Sequence, residues 1–304
     1  MITTLLLVEE EEKGSISLKR FYLRRAVRIF PCSYGYILCV FLLWRAGAIH
    51  LNFSDAWHAV TYTMNFKADP AWQVGHLWSL SVEEQFYLLW PMALVGLGRR
   101  GAAWAALSTI LVGPFASPIT WHFLHLHARA SFPVVAHSLA TGCLLAMGIK
   151  WLERQHWYLQ LFRPSISALL VALLLLINRI YQSHAIISEL GPPAIDLILA
   201  VLIHRSIYRN RDAFGRFLNW RPVVFIGTLS YSLYVWQQLF LDHDSSAWAA
   251  AFPQNLLLAF AAALGSYFLL ERPFLRLRTR LRSYSHRSSQ GDGKRGPLYK
   301  VVST

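Results

Sequence analysis

Eight stretches of roughly twenty mainly apolar residues recur along a chain of 304, and no other feature constrains its fold as strongly. They run near 31–50, 77–98, 101–117, 131–149, 165–181, 191–207, 222–241 and 248–270. Hydrocarbon about 30 Å thick is crossed by roughly 20 helical residues, and only helices or closed barrels satisfy every backbone polar group there. The chain therefore reads as all-α: a polytopic integral membrane helical bundle with about eight transmembrane helices. Pro114 and Pro118 are expected to cut the third run short, and Gly191-Pro192-Pro193 to open the sixth. Composition agrees, with 55% hydrophobic and only 15% charged residues, against about 25% charged in a soluble domain.

The cations alternate from one connecting segment to the next. Counted from the N-terminus, the odd-numbered segments carry 25 Lys and Arg residues and the even-numbered ones 3. Cytoplasmic loops collect such residues, so both termini are expected in the cytoplasm and the number of spans to be even. The net charge of +13 follows from this asymmetry; membrane lipids, not nucleic acid, are the expected surroundings. Three parts are expected: a basic cytoplasmic N-terminal segment (1–30), a transmembrane domain (31–272), and a basic, partly disordered cytoplasmic tail (273–304). The apolar opening of MITTLLLVEEEEKGS is too short for a secretory signal. Cys32, Cys39 and Cys143 show no C-x-x-C spacing and read as small buried hydrophobes.

Polar groups inside apolar runs mark candidate function, because lipid penalises them. In HLWSLSVEEQFYLLWP (76–91), helical spacing places His76, Ser79, Glu83, Phe86 or Tyr87, and Trp90 along one stripe, while Glu84 points about 100° away. A carboxylate near an imidazole suits general acid–base work; a structural ion pair between helices is the alternative. In SLKRFYLRRAVRIFP (17–31), Arg24 and Arg28 share a helix face with Arg25 beside them. Forked guanidinium contacts suit a phosphorylated ligand, and an anchor to anionic headgroups is the alternative. In IGTLSYSLYVWQQLF (226–240), Ser230, Tyr231, Ser232, Tyr234, Gln237 and Gln238 either bond neighbouring helices or line a substrate path. Glu271 is expected at the cytoplasmic surface beside a basic loop. His122, His125 and His127 have metal-ligand spacing but no carboxylate or cysteine close by, and no metal site is assigned to them.

These motifs in this order, with LLERPF following GTLSYSLYVWQQ, resemble the membrane-bound acyltransferase-three family, the integral-membrane O-acetylases of bacterial surface polysaccharides. The resemblance implies a ten-helix bundle in the bacterial cytoplasmic membrane. Such a protein takes an acyl group, usually acetyl, from acyl-CoA and delivers it to a hydroxyl of a carbohydrate or lipid-linked glycan. It implies that Arg24, Arg25 and Arg28 bind the CoA phosphates, that Glu83 and His76 are catalytic, and that Trp78, Ser79, Tyr87, Tyr231 and Gln237 lie along the substrate path. Gln237 stands where many members carry His. Acyl-CoA is then a co-substrate with no permanently bound cofactor, and a separate extracytoplasmic transferase is a candidate partner.

Family members usually begin with two further helices, the first bearing an Arg and a His central to transfer; Met1-Ile2-Thr3-Thr4 corresponds only to the end of the second. The chain as written is expected to be weakly active or inactive. The reading of a different class is a proton-coupled transporter or flippase using Glu83 and Glu84, and a non-catalytic membrane remnant is the third.

Overall fold

The computed structural model describes residues 2–124, 132–180, 185–242, 245 and 247–276. Among the described residues every regular element is helical. Among the described residues, helix covers the greater part of each of the eight apolar runs, which makes the protein an all-α polytopic membrane bundle.

A first helix, α1 (Ile2–Lys13), precedes the spans and packs on the sixth helix. The first span, α2 (Leu18–Arg45), begins where the Ser17 hydroxyl accepts the Arg20 backbone N–H at 3.4 Å. This corrects the expected 31–50. The helix starts thirteen residues earlier, carries Pro31 within it, and ends before Gly47, whose φ is +73°. The arginines are thus part of the first span's own helix. Long basic side chains extend from such a helix toward the interface, so the charges do not stop it.

A short surface helix, α3 (Phe53–Val60), and a single turn, α4 (Trp72–Gly75), lead to α5 (Leu77–Leu124). This 48-residue element holds the second and third spans, separated at Gly98 (φ +66°, ψ +176°). Pro114 and Pro118 lie inside it, so neither ends the third run.

Next come α6 (Phe132–Leu152), a short α7 (His156–Gln160), α8 (Pro164–Ile180) and α9 (Ala185–Tyr208). The last runs through Pro192 and Pro193 instead of opening there, which confines the lost N–H bonds to its early turns. After α10 (Ala213–Leu218) come α11 (Arg221–Trp236) and α12 (Gln254–Ser266), the latter continued by a π-helical turn over Tyr267–Glu271.

Among the described residues, four helical stretches have both the length and the hydropathy of a span: Leu18–Arg45, Val135–Leu152, Leu190–Tyr208 and Gln254–Arg276. Pro164–Ile180 is apolar but shorter. Leu38, Leu88, Leu111, Leu175, Ile203 and Leu257 are exposed apolar residues on six of the expected spans, the surface a bilayer requires.

Two apolar clusters hold the bundle. One joins α2, α5 and α11 around Ile29, Tyr36, Val40, Leu77, Leu80 and Val235. The other joins α1, α2, α5 and α6 around Leu6, Phe21, Phe86, Trp90, Ala106 and Cys143. Cys32 and Cys143 are buried free thiols and Cys39 is half-buried. Polar pairs also cross between helices: His137 Nδ1 lies 2.6 Å from Asp196 Oδ2, and His204 lies 3.1 Å from Glu153 and 2.9 Å from the Tyr158 hydroxyl. Each gives a buried polar group the partner it needs. The histidines expected near 122–127 are described only as far as the helix at His122; His125 and His127 fall outside the described residues.

Candidate active site

Between the two apolar clusters lies a cavity of about 800 Å³. Its walls follow from helical spacing. On α2, positions 24, 25 and 28 turn to one side; on α5, so do 79, 83 and 87; on α11, so do 230, 231 and 234. Residues of α1 and α6, among them Thr3, Leu139 and Cys143, complete it. One end is therefore cationic, the middle carries a carboxylate and hydroxyls, and the α1–α6 side is apolar.

Arg25 organises the charged end. Its Nη2 is 3.5 Å from Glu83 Oε2 and its Nε 3.7 Å from Glu84 Oε1, while the guanidinium carbon sits 3.6 Å above the Tyr87 ring centroid. At 3.7 Å the contact with Glu84 is an ion pair without a hydrogen bond; Arg25 Nε and Glu84 Oε1 are both buried and make none. Arg24 is held differently, by Glu9 of α1 at 2.8 Å, and Arg20 reaches the same carboxylate at 3.1 Å. Arg28 is exposed on the cavity wall and has no ion pair among the described residues. The three arginines that helical spacing places together thus differ in availability, with Arg28 the most open to an arriving anion.

Ser79 and Tyr234 join hydroxyls at 2.5 Å across the α5–α11 boundary, and Tyr234 donates to the His76 carbonyl. Tyr231 donates to the Ile29 carbonyl at 2.9 Å. Of the ten residues to which the family resemblance gives a role, seven line this cavity: Arg24, Arg25, Arg28, Ser79, Glu83, Tyr87 and Tyr231. The other three do not.

His76 sits in the turn before α5 begins. Its Nε2–H donates to the Val235 carbonyl at 3.1 Å, its ring lies edge-on to Tyr36 and Tyr234, and its buried Nδ1 has no hydrogen-bond partner. It stands behind Tyr234, not on the cavity wall. Trp78 packs against the α2–α11 cluster. Gln237 opens a 3₁₀ turn after α11, off the wall.

Glu271 is likewise not at a surface beside a basic loop. It is buried and accepts a hydrogen bond from Ser232, next to Cys32 and Ser266. The π-helical turn inserts one extra residue per turn, which rotates the carboxylate into the bundle.

Glu9 belongs to the site without having been assigned to it from sequence, and Tyr234, which the sequence left between helix bonding and a substrate path, does both. Tyr234 is one helical step beyond Tyr231 and shares its face. Glu9 opens the acidic run Glu9–Glu12, whose complement is the basic run that follows; Glu10 pairs with Arg99, and Glu11 with Arg99 and Lys150.

The Acyl_transf_3 family model, described as an acyltransferase domain, matches residues 1–271. Over 280 residues the chain is 27% identical to the peptidoglycan O-acetyltransferase OatA of Listeria monocytogenes, a match covering 78% of this chain and 42% of the relative. Over 270 residues it is 29% identical to the O-acetyltransferase OatA of Staphylococcus aureus, covering 78% and 43%. The chain spans less than half the length of these curated relatives. No solved structure matches.

Proposed function

The chain belongs to the Acyl_transf_3 acyltransferase family, and from that premise we propose that it moves an acetyl group from acyl-CoA to a hydroxyl of peptidoglycan or a closely related cell-surface glycan. The observation that carries this reading is the cavity in which Glu83 shares one wall system with three arginines and the hydroxyls of Ser79, Tyr87, Tyr231 and Tyr234. The names of the relatives, peptidoglycan O-acetyltransferase among them, support the glycan acceptor.

On this reading Arg28 and Arg24 bind the CoA phosphates, because charge-assisted guanidinium contacts hold phosphate best and these two lie nearest the cation-rich end. Glu83 takes the proton of the acceptor hydroxyl as that oxygen attacks the thioester carbonyl carbon. The new C–O ester bond forms, the C–S bond breaks, and CoA leaves as the thiol once its sulfur is protonated. Arg25 holds Glu83 against the wall through their ion pair. His76 acts through structure: its bond to Val235 and the Tyr234 bond to its carbonyl lock the start of α5 to α11. The bacterial relatives support a bacterial cytoplasmic membrane location, and the cation asymmetry of the loops supports both termini and the arginine end facing the cytoplasm.

The test is transfer of labelled acetyl from acetyl-CoA to peptidoglycan fragments by the protein in proteoliposomes. Transfer that Glu83→Gln abolishes while CoA still binds is the expected result. Transfer that persists in Glu83→Gln removes the carboxylate from the chemistry.

A further inference from the structure

Between α3 and α4 the chain turns back into the bundle. Met64 and Asn65, in a 3₁₀ turn, are 1% and 3% exposed. Non-helical backbone at this depth is tolerated only where protein satisfies it, and here α5 does so. The Met64 N–H donates to Ser81 Oγ at 3.2 Å, and Gln85 Nε2 donates to the Tyr62 carbonyl at 3.1 Å and to Asn65 Oδ1 at 2.8 Å.

The segment carries Tyr62 at φ +53°, a left-handed conformation that a bulky residue adopts only when its surroundings impose it. Its ring lies nearly parallel to Phe30 with centroids 5.8 Å apart, and edge-on to Tyr34 at 5.8 Å. Its hydroxyl meets Ser33 Oγ at 2.6 Å. Ser33 donates in turn to the Ile29 carbonyl, the same oxygen that accepts from Tyr231. Ile29 and Tyr231 are cavity wall. The Tyr62 hydroxyl therefore sits two hydrogen bonds from the cavity wall, through Ser33 to the Ile29 carbonyl.

We propose that this slot, formed by Phe30, Tyr34 and Ser33, is the entry subsite for the acceptor sugar, and that Tyr62 holds it closed by occupying it. The inference rests on the acyltransferase reading above. A phenol offers the slot a flat apolar face and one hydroxyl. A pyranose offers the same pair, its C–H face against Phe30 and a hydroxyl on Ser33, which is bonded to the cavity-wall residue Ile29. A segment that only needed anchoring is already held by Gln85 and Ser81, and would not require a tyrosine in a left-handed conformation packed against a pair of touching aromatic rings, Phe30 and Tyr34.

Native Cys143 lines the cavity and reports the opening without any assay of transfer. The full chain in proteoliposomes is exposed, on the side of the 51–76 loop, to a membrane-impermeant maleimide, and labelling of Cys143 is followed by peptide mass spectrometry. Tyr62→Ala is expected to raise the rate at least tenfold. Gln85→Ala, which loosens the segment with Tyr62 intact, should raise it about threefold. Tyr62→Phe keeps the ring and serves where the alanine variant does not fold; it should give a smaller rise.

Millimolar N,N′-diacetylchitobiose should slow labelling of Tyr62→Ala at least threefold, and this protection should vanish when Ser33→Ala is added. Unchanged labelling in the Tyr62 and Gln85 variants overturns the closed slot, whatever the chain catalyses. Faster labelling with no protection by the saccharide overturns the sugar assignment. Failure of acetyl transfer alongside the expected labelling defeats only the acyltransferase reading.

Discussion

Arg25 of α2 carries its guanidinium carbon 3.6 Å above the ring of Tyr87 of α5, so that one cation faces an aromatic ring and, at its edge, two carboxylates. The guanidinium plane does both at once, which an ammonium cannot. Removing it leaves Glu83 and Glu84 side by side with no ion-pair partner among the described residues. Arg25→Ala is expected to destabilise the protein by about 2–3 kcal/mol, somewhat under the usual cost of breaking a fully buried pair because Glu83 is partly open to the cavity. Arg25→Lys should recover less than half. Thermal unfolding in detergent, followed by thiol exposure at Cys143, checks both; a lysine variant as stable as the parent would refute the stacking contribution.

Arg28 is the arginine left available by this arrangement. Losing one charge-assisted contact costs about 1.5–3 kcal/mol, so Arg28→Ala should weaken CoA binding by roughly tenfold or more. Arg24→Ala should have a smaller effect on affinity and a larger one on stability, since Glu9 already engages that side chain. Isothermal titration with CoA decides it. Unaltered affinity in both variants, with reduced partition into anionic lipid, would return the cluster to headgroup anchoring.

Glu9 makes the α1–α2 contact pH-dependent. Burial pushes its carboxyl up, but the Arg24 hydrogen bond and the charges of Arg24, Arg20 and Lys13 outweigh that and hold it below its ordinary 4.5. A carboxyl depressed in the folded state stabilises fully above the unfolded value, and loses that contribution as pH falls through the folded value. The stability gap between the parent and Glu9→Gln should thus be constant from pH 7 to about 5 and close below about 4.5. A gap that widens toward acid pH would contradict this sign.

Gly98 separates two spans at φ +66° and ψ +176°, a region open essentially to glycine alone, and a Cβ there meets nothing within 4 Å. The cost of Gly98→Ala is therefore backbone strain without a clash, about 1–3 kcal/mol. Equilibrium unfolding measures it; a stabilised alanine variant would show that the helix simply continues through this position.

The apolar runs were legible as helices, and the kink between the second and third lies where the Arg99-Arg100 pair marked a loop. Helical spacing also put Arg24, Arg25 and Arg28 on one face and Ser79, Glu83 and Tyr87 on another, as found. The limits of the first span were not legible. Charged side chains read as a boundary in sequence, whereas a helix with its cations on one side carries them inside a bundle. Glu271 read as a surface residue because it ends an apolar run, and a π-helical turn reversed its direction.

Length, apolarity and spacing are local properties, and by themselves they determined that the chain crosses a membrane as helices and which side chains share a helix face. Only the tertiary structure decided that Arg25 meets glutamates nearly sixty positions away, that Glu9 reaches Arg24, that His76 turns to Val235 behind Tyr234, and that Tyr62 packs against both Phe30 and Tyr34. Any apolar helix can pack beside any other at little cost in lipid. The choice of neighbour is made by where polar groups, forced to find partners away from water, can satisfy one another.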